Sequence, residues 1–186
     1  MKLVKIILFL LISYNTPLKA NSGDNVQSIL NKGGKLIFIR HAYAPGRGDP
    51  DNFDISSCSS QRNLNEEGIE QARRIGKFFL EKNIIINKIL SSEWCRCKQT
   101  AEYAFKNHET KSFLNSFFSQ KFADKKEKQI KELKEYIKKW NGKSNLIFVT
   151  HYVVILEILN ISVSSGEIVV ADKDLNILAR QKTSNN

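Results

Sequence analysis

The sequence has few of the residues that build metal and redox sites. Its 186 residues include three cysteines, three histidines and one methionine. The cysteines form no C-x-x-C pair, and two cysteines one residue apart, such as Cys95 and Cys97, rarely bridge to each other. This argues against a redox protein. No clustered histidines or grouped carboxylates supply the ligands of zinc or magnesium. We therefore expect no metal and no other cofactor.

The chain also lacks the patterns typical of nucleic-acid-binding proteins. Its 29 basic residues outnumber its 19 acidic residues, a net charge of +10 that favours anionic partners. However, it has no basic strand interleaved with aromatic residues and no zinc-finger or helix-turn-helix pattern. Many lysines lie in residues 125–140, where Ile130, Leu133 and Ile137 recur at helical spacing. That spacing predicts an amphipathic helix with a solvated lysine face, and no nucleic-acid partner.

No apolar run at the start of the chain is long enough to span a bilayer as a helix. Residues 6–12 are apolar, Lys2 and Lys5 precede them, and residues 18–20 end in a small alanine. This pattern predicts a secretory signal peptide, residues 1–20, with an uncleaved membrane anchor as the alternative. Cleavage would remove three lysines and no acid, lowering the net charge from +10 to +7. We expect a periplasmic or secreted protein with no stable membrane span.

Short apolar segments alternate with helical patterns after a polar lead-in over residues 21–34. Residues 35–40, 86–91 and 145–150 have the branched, apolar composition of buried parallel strands. Helical patterns lie within residues 63–83 (capped by Asn65), 93–105, 124–140 and 152–159, and residues 166–180 predict a hairpin. The alternation predicts an α/β domain, residues 35–182. We expect a three-layer sandwich with a mostly parallel central sheet between helices and a C-terminal hairpin.

Charged or polar side chains follow each of the three predicted strands. Arg40 and His41 end the first, two serines and then Arg96 follow the second, and His151 follows the third. Ligands of open α/β sheets bind beyond the carboxyl ends of the strands. Arginine matches phosphate oxygens bidentately, and a neutral imidazole can attack phosphorus. The sequence therefore predicts an anion pocket that contains a nucleophile.

Four motifs resemble the signatures of the histidine phosphatase superfamily, which includes the phosphoglycerate mutases. They are IRHA, RNLNEEGIEQARRIG, LSSEWCRCKQTA and FVTHYVVI, and the resemblance spans about residues 35–170. It implies that His41 accepts a phosphoryl group, with His151 as a second catalytic imidazole. It also implies that Arg40 and Arg96 bind the phosphate, that Arg62 is a further candidate for substrate contact, and that no metal takes part.

Two departures from the family pattern favour a phosphatase over a mutase. Arg47 stands where mutases often carry an asparagine, and Ser116 stands where many members carry a proton-donating glutamate. Since serine is too weak an acid for that role, another carboxyl is needed to protonate an alkoxide leaving group. By position alone, Asp49 and Glu93 are the candidate proton donors.

The resemblance implies an enzyme that hydrolyses small phosphomonoesters through a phosphohistidine. A phosphate-binding module without turnover is an alternative. So is a phosphatase specific for phosphorylated envelope sugars or for phosphoramidates. The oligomeric state is left open.

The cysteines allow one disulfide if the chain is exported. We expect Cys58 to pair with Cys95 or Cys97, which would tie the loop after His41 to the segment around Arg96. Three buried, reduced thiols are the alternative.

Overall fold

A computed structural model describes residues 22–183 of the chain. The predicted signal peptide, residues 1–20, lies outside the described residues. The strands are β1 (Leu36–Arg40), β2 (Ile86–Ser91), β3 (Glu109–Thr110), β4 (Asn145–Thr150), β5 (Ile168–Ala171) and β6 (Ile177–Gln181). The α-helices are α1 (Ser22–Leu30), α2 (Glu66–Glu81), α3 (Cys95–Phe105), α4 (Lys126–Lys139) and α5 (Tyr152–Leu159). Within this part of the chain no helix is long and apolar enough to cross a membrane.

The six strands form one sheet in the order β3-β2-β4-β1-β5-β6. The pairs β1–β4, β2–β4 and β2–β3 are parallel, whereas β5 pairs antiparallel with β1 and with β6. The predicted fold class, a mostly parallel sheet between helices with a C-terminal hairpin, is confirmed. Because β1, β2 and β4 run in the same direction, their carboxyl ends meet at one edge.

Alternate side chains of the strands face two separate cores. Leu36 and Phe38 of β1 pack in one core with α4 and α5, while Ile37 and Ile39 pack in the other with α1, α2 and α3. All four of these side chains are fully buried. A strand buried on both faces has no room for alternating polar residues, which explains the continuous apolar run of β1.

The structure differs from the predicted elements at three places. The lead-in prediction is wrong, because α1 occupies residues 22–30 and buries Val26 and Leu30 in the core. Helix α3 begins at Cys95 rather than residue 93, since its N-cap Trp94 is extended. Strand β3 has only two residues, too few to give a sequence pattern.

The start of α2 holds the loop that follows β1. The Asn65 side chain accepts a hydrogen bond from the main-chain nitrogen of Gly68, 3.0 Å away, as expected of an N-cap. A Cβ at Gly68 would lie 1.9 Å from the carbonyl oxygen of Tyr43. Only glycine allows this approach, which brings α2 against the residues directly after His41.

A disulfide joins Cys58 to Cys95 and leaves Cys97 as a buried free cysteine. It connects the loop after β1 to the first residue of α3, next to Arg96. Two of the three segments that supply arginines to the sheet edge are thereby cross-linked, and the bond closes a loop of 37 residues in sequence separation.

We predict that this cross-link contributes about 2–4 kcal/mol to the free energy of unfolding, chiefly by restricting the unfolded chain. The double variant Cys58→Ser/Cys95→Ser should lose that amount in urea unfolding, with Cys97→Ser as the control that keeps the bond. Thiol titration of the unreduced, denatured protein should find one free thiol. Three free thiols would contradict the assignment.

Candidate active site

His41 lies directly after β1, buried to 3% exposure. Its main-chain nitrogen donates to the carbonyl of Thr150 at 2.9 Å, which continues the β1–β4 pairing by one residue. Its Nδ1 is 2.8 Å from the carbonyl oxygen of Ala42. A carbonyl can only accept a hydrogen bond, so Nδ1 carries the proton and Nε2 has a free lone pair. This is the tautomer that a nucleophilic imidazole needs.

His151 caps α5 directly after β4, and its Nε2 lies 2.9 Å from the Ser92 hydroxyl. The Ser92 hydroxyl also lies 2.9 Å from Asn115 Oδ1. That oxygen accepts from the main-chain nitrogen of Glu93 as well, and Asn115 Nδ2 donates to the Glu93 carboxylate at 2.6 Å.

This chain of hydrogen bonds determines the tautomer of His151. Both contacts to Glu93 orient the Asn115 amide, so its Oδ1 faces Ser92 and can only accept. Ser92 therefore donates to Asn115 and accepts from His151 Nε2, which must carry the proton. The lone pair of His151 is then on Nδ1, which makes no hydrogen bond within the described residues.

Both imidazoles are neutral at neutral pH. Burial lowers the pKa of His41 and of His151 well below the usual value near 6.5, and the positive charge of Arg96 lowers each further. The ring centroids are 5.5 Å apart. The site thus holds two neutral rings, each with an unprotonated nitrogen, beside concentrated positive charge.

Three arginines surround the histidines, each held through one NH1 group. Arg40 donates to the Val163 carbonyl at 2.8 Å. Arg62 donates to two carbonyls of the loop after β1, residues 44 and 46. Arg96 forms an ion pair with Asp49 at 2.7 Å. Their NH2 groups make no hydrogen bond within the described residues, and their buried Nε groups have no partner there. Guanidinium N–H groups without a hydrogen-bond partner can donate to the oxygens of a bound anion such as phosphate.

Asp49 is bound by three donors. Its Oδ1 accepts from Arg96 and, at 3.1 Å, from the main-chain nitrogen of Arg62, while its Oδ2 accepts from Trp94 Nε1 at 3.1 Å. Its side chain is 17% exposed. Asp49 therefore links the loop after β1 to α3 and competes with any incoming anion for Arg96.

A cleft of about 740 Å³ contains these groups. The predicted residues Arg40, His41, Asp49, Arg62, Arg96 and His151 all line it. Glu93 does not line it, because its carboxylate is bonded to Asn115 behind the site. Arg47 and Ser116, the two departures from the family pattern, line it as well.

The sequence analysis missed two sets of residues at the site. Ser92 was one of the two serines noted after the second strand, but its role in orienting His151 through Asn115 gave no signal, because the three residues lie in separate segments that only the fold brings together. The aromatic residues Phe53, Trp94 and Phe122 form mutually stacked or edge-on pairs with centroids 5.0–5.6 Å apart at the cleft. A cluster of phenylalanines at residues 113–122 was the available signal for one of them.

Cys97 lies behind the second histidine, with its Sγ 3.4 Å from His151 Nε2. Burial raises the pKa of this thiol to about 12, so it is protonated at neutral pH and is not a nucleophile. Among residues 22–183 no group of three or more histidine, cysteine or acidic side chains is placed to hold a metal ion.

Comparisons with known proteins give one family match and several structural neighbours. The model of the histidine phosphatase superfamily (branch 1) matches residues 36–146. The structure of the protein histidine phosphatase SixA complexed with tungstate is 14% identical, covering 80% of this chain and 97% of that one, with a TM-score of 0.57. A phosphoglycerate mutase from Thermus thermophilus is 17% identical, covering 80% and 98%, with a TM-score of 0.56. At these identities the structural likeness shows the fold. No curated protein gave a significant match.

We predict a specific acid sensitivity from the two buried histidines. Since their folded-state pKa values are lowered, the unfolded chain binds protons below about pH 6.5 that the folded chain does not. The free energy of unfolding should therefore fall as the pH drops below that value, by up to about 1.4 kcal/mol per pH unit for each histidine. Urea unfolding at pH 7.5, 6.5 and 5.5 measures this.

The variants His41→Gln and His151→Gln should each show a shallower loss between pH 6.5 and 5.5 than the wild type. His108→Gln, on a half-buried histidine outside the cleft, is the control. Equal slopes in the wild type and both site variants would show that the histidines are not held neutral.

Proposed function

The chain belongs to the histidine phosphatase superfamily, and on that premise we propose that it is a phosphatase that hydrolyses phosphomonoesters through a phosphohistidine on His41. The observation that carries the proposal is the tautomer of His41. Its Nδ1 proton is held by the Ala42 carbonyl at 2.8 Å, which leaves an unprotonated Nε2 in a cleft lined by three arginines. A buried, neutral imidazole among cations is suited to attack an anionic phosphoryl group.

The reaction has two steps in this proposal. In the first, a bond forms from His41 Nε2 to phosphorus as the bond from phosphorus to the leaving oxygen breaks. In the second, water attacks phosphorus, the bond to Nε2 breaks, and inorganic phosphate leaves. The NH2 donors of Arg40, Arg62 and Arg96 neutralise charge on the equatorial oxygens in both steps. His151 Nδ1, which has a free lone pair, accepts a hydrogen bond from a phosphoryl oxygen when that oxygen carries a proton.

Hydrolysis without a metal is part of the proposal. Three guanidinium groups at the phosphoryl position supply the positive charge that a divalent cation provides in other phosphatases. Ser116, which the family resemblance matches to a proton-donating glutamate, is buried at the cleft. Arg47 and Ser116, the two departures from the mutase pattern, both line the cleft and favour hydrolysis over transfer between two positions of one substrate.

We also propose that the protein works outside the cytoplasm. The disulfide between Cys58 and Cys95 supports this location, because such bonds persist in oxidising compartments. The signal-peptide pattern of residues 1–20 supports it independently. Immunodetection of the protein in periplasmic and cytoplasmic fractions tests the location, and recovery only with the cytoplasm would contradict it.

Replacing the nucleophile tests the proposed activity. His41→Ala should reduce hydrolysis of an aryl phosphate to background, because it removes the proposed nucleophile, while His151, whose Nδ1 also has a free lone pair at the cleft, is assigned to contact the phosphoryl group and not to attack it. Wild-type enzyme quenched during turnover should carry an acid-labile, base-stable phosphate, which mass spectrometry would locate on His41. EDTA should leave the rate unchanged, and His108→Ala should keep wild-type activity as a control.

Normal turnover by His41→Ala, or a label on serine, would overturn the covalent mechanism. An inactive wild type that still binds inorganic phosphate would instead support the alternative of a binding module.

We propose Asp49 as the proton donor to the leaving group. Asp49 and Asp51 are the carboxylates that line the cleft within the described residues. Arg96 holds the Asp49 carboxylate through NH1 at 2.7 Å, so a phosphoryl group bound to the free NH2 of the same guanidinium would lie beside Asp49. In this proposal Asp49 passes a proton to the leaving oxygen from that position.

The dependence of rate on the leaving group measures this role. Across a series of aryl and alkyl phosphates, the wild-type kcat/KM should fall only weakly as the leaving group becomes more basic. Asp49→Asn should make the dependence steep, with a loss of about 10²–10⁴ for alkyl esters and little for activated aryl esters. Asp51→Asn is the matched control on the same loop. A steep wild-type dependence that Asp49→Asn does not alter would exclude the role.

A further inference from the structure

The cleft is much larger than a phosphoryl group requires. The histidines and the three arginines occupy its inner end, and residues of a separate segment, 116–122, continue it outward. Phe118 and Phe122 belong to that segment, and the Phe118 side chain is 71% exposed. A solvent-exposed phenylalanine in a cleft offers apolar area for a ligand to cover. The outer half of the cleft therefore offers space and apolar area beyond a bound phosphoryl group.

Aromatic rings give this outer half a rigid wall. Phe53 stacks on Trp94 with centroids 5.0 Å apart, and Phe122 packs edge-on against both at 5.6 and 5.5 Å. Trp94 is also held by its hydrogen bond to Asp49. Rings fixed in this way lose little conformational entropy when a ligand binds, and their faces favour contact with a flat or apolar-faced ring.

Two unpaired cations flank the wall. Arg47 and Lys121 line the cleft, both are exposed, and neither forms an ion pair within the described residues. Lys121 and Lys125 place their ammonium groups 5.8 and 5.2 Å from the centroid of the Phe122 ring. The loop carrying Arg47 and the segment carrying Lys121 thus present positive charge around the mouth, partly offset by the carboxylate of Asp51.

The charge of the whole cleft exceeds what one phosphoryl group neutralises. Five cationic side chains and two carboxylates line it, a net charge of +3 with both histidines neutral. A phosphoryl dianion leaves one positive charge unbalanced, and Arg47 and Lys121 lie on the outer segments. One further negative group on the leaving group, placed near them, would balance the cleft.

We propose that the outer cleft is a second anion subsite, in which Arg47 and Lys121 bind an acidic group on a ring that packs against Phe118 and Phe122. This inference rests on the proposed phosphatase activity and specifies its substrate class. The substrate is a phosphomonoester whose leaving group is a ring bearing its own carboxylate, phosphate or similar anion. Phosphate esters of small neutral alcohols would fill only the inner half of the cleft and leave the second anion subsite empty.

A pair of synthetic esters tests the charge requirement. In 4-carboxyphenyl phosphate and 4-carbamoylphenyl phosphate the ring and shape are nearly the same, and the second is neutral at the far end. Wild-type kcat/KM should favour the carboxylate by about tenfold, which corresponds to about 1.4 kcal/mol. The ratio should shrink toward one at high salt, because the outer cations are exposed. The amide withdraws electrons more strongly, so leaving-group acidity alone would favour the other ester.

Variants assign the preference to named residues. In Arg47→Gln/Lys121→Gln the ratio of the two kcat/KM values should fall to about one. Lys77→Gln/Lys128→Gln removes the same charge from exposed positions on α2 and α4 and should retain the wild-type ratio. Phe118→Ala should raise KM for both esters and leave their ratio unchanged. Because each ratio is taken within one variant, partial loss of folded protein cancels.

A wild-type ratio near one, or a ratio that survives the Arg47/Lys121 substitutions, would overturn the subsite. If the wild type hydrolyses neither ester, the proposed activity fails by itself. Calorimetry then tests the subsite by measuring the affinities of the corresponding non-hydrolysable carboxy- and carbamoyl-benzylphosphonates. About tenfold tighter binding of the carboxylate, lost in the double variant, would support it, and equal binding would overturn it.

Discussion

The parallel pairing of β1 with β4 holds the candidate site together. Its register sets Arg40 opposite Thr150, and the next hydrogen bond runs from the nitrogen of His41 to the Thr150 carbonyl. Two histidines that are far apart in sequence therefore leave the same edge of the sheet together. A shift of one residue in this pairing would turn one imidazole to the opposite face, so the chemistry depends on the sheet register.

The three arginines at that edge repel one another, and this repulsion is the main unfavourable interaction at the site. Burial lowers the pKa of Arg40 and of Arg62, and the charge of Arg96 lowers both further. Main-chain carbonyls hold the first two guanidinium groups, and Asp49 holds the third. These contacts compensate part of the repulsion in the free protein, and they leave the other donors of each fork for a ligand. The fold thus holds three guanidinium groups close together, and a bound anion would further reduce the repulsion between them.

The sequence predicted the three central strands and the residues at their ends. A continuous apolar run identifies a buried strand, and the residues that follow the run identify the groups at its carboxyl end, here Arg40-His41 and Thr150-His151. Both signals lie within a few consecutive residues, so the sequence alone reveals them. The ion pair of Asp49 with Arg96 and the bonds from Asn115 to Ser92 join segments that no local pattern connects. Helix α1 was missed because its three apolar residues, Val26, Ile29 and Leu30, lie in a short segment that is otherwise polar.

The thiol of Cys97 lies two residues from Cys95 and yet takes no part in the disulfide. Exchange of a disulfide requires a thiolate, and a thiol with a pKa of about 12 supplies almost none at neutral pH. Once α3 is packed, Cys97 therefore attacks the Cys58–Cys95 bond only slowly at neutral pH. The choice between Cys95 and Cys97 as the partner of Cys58 is made while the core around Cys97 is still open.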